Sequence, residues 1–149
     1  METKSLKASW IIMLFVHCVL IILSLIVLIA PTFFISSEFL SYTGQKWADF
    51  SASNSEVASF FIFQIYEIGV IGFGWGVILV LMTVLAYRKG VKWTWPLLLI
   101  SNTLGWGGLI CVDLPTRDMG VVMMAALLFI IAYVGLFIGA KTILKKSTN

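Results

Sequence analysis

The run from Trp10 to Ala30 is apolar almost without interruption. About 20 such residues, rising 1.5 Å each, match a hydrocarbon layer about 30 Å thick, so the run predicts a membrane-crossing helix. Three further runs follow, and the expected spans are residues 10–30, 58–87, 93–112 and 119–140. A secretory signal peptide also begins basic and turns apolar. This run is longer than such a segment needs, and Pro31 follows Ala30 where a cleavage site would be wanted, so an uncleaved anchor is expected. The whole chain is 60% hydrophobic and 11% charged over 149 residues, with a mean hydropathy of +1.04. Soluble domains carry roughly 25% charged residues. That contrast excludes a soluble enzyme or a nucleic-acid binder and leaves one compact membrane unit.

The connections set the expected topology. Thr32 to Ser55 is the one long link, with Phe33, Phe34, Phe39, Tyr42, Trp47 and Phe50 scattered among polar residues. Trp and Tyr favour the membrane–water interface. The link therefore reads as an aromatic loop, anchored at the surface or lying as a lid over a ligand site. Within it, residues 44–50 form a candidate short helix. Ser53-Asn-Ser-Glu56 has the spacing of a capping box, so the second helix is expected from about Asn54 to about Tyr87, roughly 50 Å long. The turns at Arg88–Lys92 and Asp113–Asp118 are short, and Pro96 falls in the first turn of the third helix, where it is tolerated. Lys4, Lys7, Arg88, Lys89, Lys92, Lys141, Lys145 and Lys146 fall on one side, against Lys46 and Arg117 on the other. The positive-inside bias predicts both termini in the cytoplasm. The expected fold is an all-α membrane protein: an up-down four-transmembrane-helix bundle with a longer aromatic outer loop between helices 1 and 2.

Polar residues inside such spans are costly and therefore informative. Counting 1.5 Å per residue from the basic border puts His17 and Tyr133 at a common depth of about 10 Å. Ser101 and Thr83 lie in the same half, so an inner polar cluster of His17, Tyr133 and Ser101 is expected, with a hydrogen bond from His17 to Tyr133. Glu67 comes out about 28 Å from that border, level with Cys111, Asp113 and Arg117. It either pairs with Arg117 or with backbone donors at the outer mouth, or lines an outward pocket with Gln64, Asn102 and Trp106. No nucleophile–base pair assembles. The single histidine and the separated cysteines, Cys18 and Cys111, offer no metal-ligand spacing, so no catalytic residue, metal or cofactor is expected.

The glycines sort by helical angle. Gly69, Gly72 and Gly76 lie opposite Glu67, while Gly74 shares its face. Gly72/Gly76 and Gly135/Gly139 are G-x-x-x-G pairs, which allow helix backbones to approach closely. The second helix is therefore expected to be the central one or to meet another subunit. The third helix, with Ser101, Gly105, Gly107 and Gly108, is a candidate to receive its glycine ridge.

The four-span layout, the Glu67-Ile-Gly69 start of the second span with glycines after it, and the short turn containing Arg88 together resemble the DoxX-like small prokaryotic membrane proteins. That resemblance implies a cytoplasmic-membrane protein, sometimes associated with quinone-linked redox complexes, and it transfers no catalytic residue. Three roles are compatible with the residues. The first is a non-catalytic subunit or assembly protein with a protein partner or a second copy. The second is a binder or converter of a lipid or quinone near Glu67. The third is a transporter or channel component, for which the chain lacks an internal repeat.

Overall fold

The computed structural model describes residues 3–116 and 118–145; Arg117 and Lys146 lie outside the described residues. Among the described residues the chain is all-helical, and four helices are long and apolar enough to cross a membrane: Lys4–Ile29, Ser55–Lys89, Thr94–Asp113 and Met119–Lys145. The protein is a multi-pass membrane protein.

Helix α1 (Lys4–Ile29) starts on Thr3, whose Oγ1 accepts from the Leu6 N–H at 3.3 Å. It stops before Pro31, which has no N–H to return to the preceding turn. Ala30 leaves helical geometry at φ −134°, ψ 61°. Proline is nevertheless a favourable first residue of a helix, and α2 (Pro31–Thr43) begins on it. A short α3 (Trp47–Ser53) follows. The stretch expected as a loop with a short helix at residues 44–50 is thus a pair of helices, the second starting at Trp47 and the first not anticipated. Its aromatic residues make a compact box with the start of α4 (Ser55–Leu85). Phe39 meets Trp47 and Phe50 with ring centroids 5.3 and 4.7 Å apart, and Trp47 meets Phe61 at 6.3 Å. The anticipated capping box does not form. Asn54 occupies the N-cap without a side-chain bond, and Ser53 Oγ instead donates to the Asp49 carbonyl, because Ser53 belongs to the last turn of α3.

A single 3₁₀ turn, Tyr87–Lys89, ends α4. Gly90 reverses the chain at φ +73°, a conformation glycine adopts without steric cost. The third span is interrupted. It consists of α5 (Thr94–Asn102), a π-helical turn at Thr103–Gly107, and α6 (Gly108–Asp113). The widened turn falls among Gly105, Gly107 and Gly108, whose missing side chains remove the packing that would hold a regular helix. Helix α7 (Met119–Lys145) is capped by Asp118, whose Oδ1 accepts from the Gly120 and Val121 N–H groups at 3.1 and 3.4 Å. A carboxylate there also suits the helix dipole.

The central helix is α1, not α4. A Cβ at Gly69, Gly72 or Gly76 would run into Leu28, Ser24 or Ile21, all on α1. A Cβ at Gly135 would lie 2.8 Å from Ile12, and one at Gly139 would run into Ser9. Both glycine ridges therefore close on α1 from different sides. The third span does not receive the ridge of α4: Gly105 and Gly108 face open space, and Gly107 only approaches Phe129. The main core joins α1, α4, α7 and the third span around Met13, Val16, Leu79, Leu98, Ala132 and Leu136. Helix α4 packs along α1 and buries Ala58, Gly69, Gly76, Leu79 and Thr83.

At the basic end Ser9 Oγ donates to the Gly135 carbonyl at 2.6 Å. Its proton is thereby used, so the buried Tyr87 hydroxyl donates to Ser9 at 2.6 Å. Trp95 Nε1 donates to the Leu136 carbonyl at 3.0 Å, and Arg88 stacks 4.9 Å from the Trp10 ring centroid. These bonds tie α1, the end of α4 and α7 into one unit.

Gly139→Ala should lower unfolding stability by about 1–3 kcal/mol, the usual consequence of overpacking, because its Cβ intrudes on Ser9 and Tyr87. Gly74→Ala, with nothing within 4 Å, should be neutral or gain up to about 1 kcal/mol from helix propensity. Denaturant unfolding in mild detergent separates the two; equal stability would refute the close contact of α7 with α1.

Candidate functional site

The turn after α4 forces α4 and the third span together at the basic end. Beyond it they part: α4 touches α5, while its contact with residues 103–113 is slight. The gap is a cavity of about 310 Å³. Helix α1 supplies Leu20, Leu23, Ser24 and Val27 to its wall, and α4 supplies Ile65, Ile68, Gly69, Ile71, Gly72, Trp75 and Leu79. The third span contributes Ser101, Asn102, Gly105, Trp106 and Leu109, α7 Val121 and Met124, and α2 Phe34 and Glu38. A volume of this size is at the lower end of the range of small-molecule sites, which are concave and mostly apolar with a few placed polar groups. Ile68 and Ile71 line it although they are 61% and 70% exposed on α4, so the cavity communicates with the outer surface of the bundle. A larger hollow of about 590 Å³ runs along α7 at Phe129, Tyr133 and Phe137, but a single helix face bounds it and it encloses nothing.

One wall of the cavity is held by a buried polar chain. Thr83 Oγ1 donates to the Leu79 carbonyl at 2.8 Å, the local bond open to a threonine inside a helix. His17 Nδ1 lies 3.0 Å from the same oxygen. Because the threonine proton is committed, the ring donates there, and Nε2 is left as an acceptor. Asn102 Nδ2 faces that nitrogen at 3.5 Å and donates to the Leu98 carbonyl at 2.7 Å. Both amide protons are spent. The remaining atom, Asn102 Oδ1, is buried with no hydrogen-bond partner, in a residue 1% exposed. Leaving such an acceptor unpaired costs about 1–3 kcal/mol. Asn102 is also the last residue before the π-helical turn, and turns of that kind are frequent at functional sites.

The other end of the cavity is acidic. Glu38 lines it, and Ser37 Oγ donates to Asp118 Oδ2 at 2.7 Å, joining α2 to the start of α7. Burial pushes the Glu38 carboxyl above the usual carboxylate range, and the neighbouring Asp113 and Asp118 carboxylates push it further in the same direction.

The residues singled out from sequence separate in space. Asn102, Trp106 and Ser101 share the cavity wall. Glu67 does not: it is exposed on the outer side of α4, with no hydrogen bond or ion pair to another described residue, and neither it nor Gln64 lines the cavity. Pairing with Arg117 falls outside the described residues. Asp113 is buried at the end of α6, near Glu38 and Asp118. The expected His17–Tyr133 bond is absent. His17 turns to Thr83 and Asn102, while Tyr133 donates to Thr103 Oγ1 at 2.6 Å on a different flank of the third span. Equal depth did not mean equal facing. Glu38 was missed because its segment read as a loop. The signal lay in the sequence as Phe34 and Glu38, four apart on one face of a helix starting at Pro31.

No group of three or more His, Cys, Asp or Glu among the described residues is arranged to hold a metal ion. No family model, curated protein or solved structure matches this chain.

The raised Glu38 pKa fixes the sign of a pH effect. The folded chain holds this proton more tightly than the unfolded one, so folding is favoured below the folded pKa and penalised as pH rises through it. Glu38→Gln should therefore raise the melting temperature at pH 8, and the gain should shrink towards pH 4. A gain independent of pH would refute the assignment.

Proposed function

We propose that this chain holds a hydrophobic small molecule, of the size of a lipid tail or a quinone ring, in the cavity between α4 and the third span. The observation that carries this reading is the cavity itself: apolar walls from five helices, with Ser24, Glu38, Ser101 and Asn102 as the few polar residues that line it. In this reading the chain sits in the cell membrane as an up-down four-span bundle with cytoplasmic termini, supported by the basic residues of both termini and of the Tyr87–Lys92 turn. The α2–α3 pair then lies at the outer surface, and Phe34 and Glu38 close the outer end of the cavity. The DoxX-like layout belongs to the same proposal. Of its Glu67-Ile-Gly69 motif, Ile68 and Gly69 contribute to the wall, while Glu67 stays outside.

Gly105 supplies the test. It lines the cavity, and a Cβ there meets nothing within 4 Å, so Gly105→Leu fills the space without disturbing the core. Protein purified in native nanodiscs should release an apolar molecule on solvent extraction, and the Gly105→Leu protein should release less than about a tenth as much. Equal recovery from the two, relative to empty nanodiscs, would overturn the reading.

A second reading, a non-catalytic subunit of a larger membrane assembly, is favoured by one separate observation. Glu67 and Gly74 stand exposed on the same outer stripe of α4, with open space at Gly74. A partner helix seated there should give a crosslinked product from Gly74→Cys in intact membranes, and none from Cys introduced at Gly135, which faces α1.

A further inference from the structure

We infer that the cavity opens sideways to the outer leaflet of the membrane, through the gap between α4 and the third span. Its occupant is a phospholipid whose acyl chain lies in the cavity, with an amine head group at the Glu38 end. The inference rests on the cavity reading above and adds the class of ligand, its route and its orientation.

The rim of the gap shows which phase the cavity meets. On α4, Ile68, Ile71 and Trp75 line the cavity and are 61%, 70% and 44% exposed. On the third span Gly105 lines it and is exposed too, with open space where a Cβ would stand. These residues belong to two helices apolar enough to cross a membrane, and none of them is charged. An uncharged rim within the spans borders lipid tails rather than water. The seam between α4 and α1 offers no second way in, because Gly69 and Gly72 rest against Leu28 and Ser24.

Depth fits one leaflet. Counting 1.5 Å per residue from Lys7, Arg88, Lys92 and Lys141 puts the lining residues Leu79 and Ser101 about 14 Å in, and Val27, Ile68 and Val121 about 30 Å in. The cavity therefore runs from near the middle of a core about 30 Å thick to its outer border. That is the reach of an acyl chain anchored at the outer surface. A volume of about 310 Å³ holds about ten small groups at the roughly 30 Å³ each takes in a liquid, one chain and not two. The polar end is the outer one, where Phe34 and Glu38 of α2 line the cavity. Glu38 makes no hydrogen bond or ion pair to another described residue. Asp113 and Asp118 are its charged neighbours, and the turn between those two holds a single base, Arg117. A net anionic head is repelled at such an end, whereas an ammonium N–H donates to the carboxylate.

The experiment uses the full chain at pH 8 in nanodiscs of phosphatidylethanolamine and phosphatidylglycerol in equal amounts, with bromine on the phosphatidylethanolamine chains. Bromine quenches tryptophan at close range, and Trp106 lines the cavity while only 5% exposed. Its signal is the difference between the wild type and Trp106→Phe. That signal should be quenched by the brominated lipid, recover in the Gly105→Leu background, and ignore iodide in the water. Native mass spectrometry then counts the lipid that stays on each chain after release from the disc. The retained lipid should favour phosphatidylethanolamine by about threefold, the size of a partly exposed ion pair. Glu38→Lys should reverse that preference, and Gly105→Leu should lose the lipid. Should Trp106→Phe fail to fold, the lipid count decides alone. A retained apolar molecule that is not a phospholipid overturns the inference and leaves the cavity reading standing. Quenching by iodide, or bromine quenching that Gly105→Leu leaves unchanged, overturns it too, because the wall then meets water or the lipid lies outside. The same head-group ratio in wild type and Glu38→Lys overturns the orientation, and the inference with it. Equal recovery of apolar molecules from wild type and Gly105→Leu removes the cavity reading and this inference together.

Discussion

The close approach of α4 and α7 to α1 is the constraint on which the rest of this protein depends. Lipid tails are as apolar as leucine, so burial alone does not drive helices together in a membrane; packing and interhelical hydrogen bonds do. Glycines at positions 69, 72 and 76 let α4 settle against Ile21, Ser24 and Leu28, and those at 135 and 139 let α7 settle against Ile12 and Ser9. With α1 gripped from two sides, the second and third spans are joined at one end by a tight turn but are not pressed together along their length. The cavity is the geometric remainder of that arrangement.

Polar side chains then stabilise what the glycines permit. At the basic end Tyr87, Ser9 and the Gly135 carbonyl form a satisfied chain across three helices. Nearer the middle Thr83, His17 and Asn102 form another, and this one is not closed. The difference matters because a satisfied network rigidifies, whereas a network ending on an unpaired buried acceptor carries a cost in stability. The π-helical turn that follows Asn102 widens the third span where Gly105 and Trp106 face the cavity, so the irregular backbone coincides with the open wall.

The acidic end has a different character. Asp118 caps α7 and takes a hydrogen bond from Ser37, tying the α2–α3 pair to the bundle. Glu38, one residue on, reaches the cavity, and its raised pKa makes that end responsive to protons. The aromatic box of Phe39, Trp47, Phe50 and Phe61 holds the same pair against α4. A segment that looks from composition like a surface anchor is in fact folded onto the bundle.

The sequence by itself determined the four apolar helices, their short basic and acidic turns, and the candidacy of Asn102 and Trp106 as wall residues. Length, hydropathy and punctuation by Pro31 and Gly90 suffice for these, because they are properties of local chain. Only the tertiary structure decided that α1 is central, that Glu67 faces outward while Glu38 faces the cavity, and that His17 meets Asn102 rather than Tyr133. Helical periodicity groups residues by face but is silent on which neighbour each face meets. In a membrane chain the usual guide fails as well: apolar residues cover both the lipid-facing and the protein-facing sides, so polarity does not reveal which way a helix is turned.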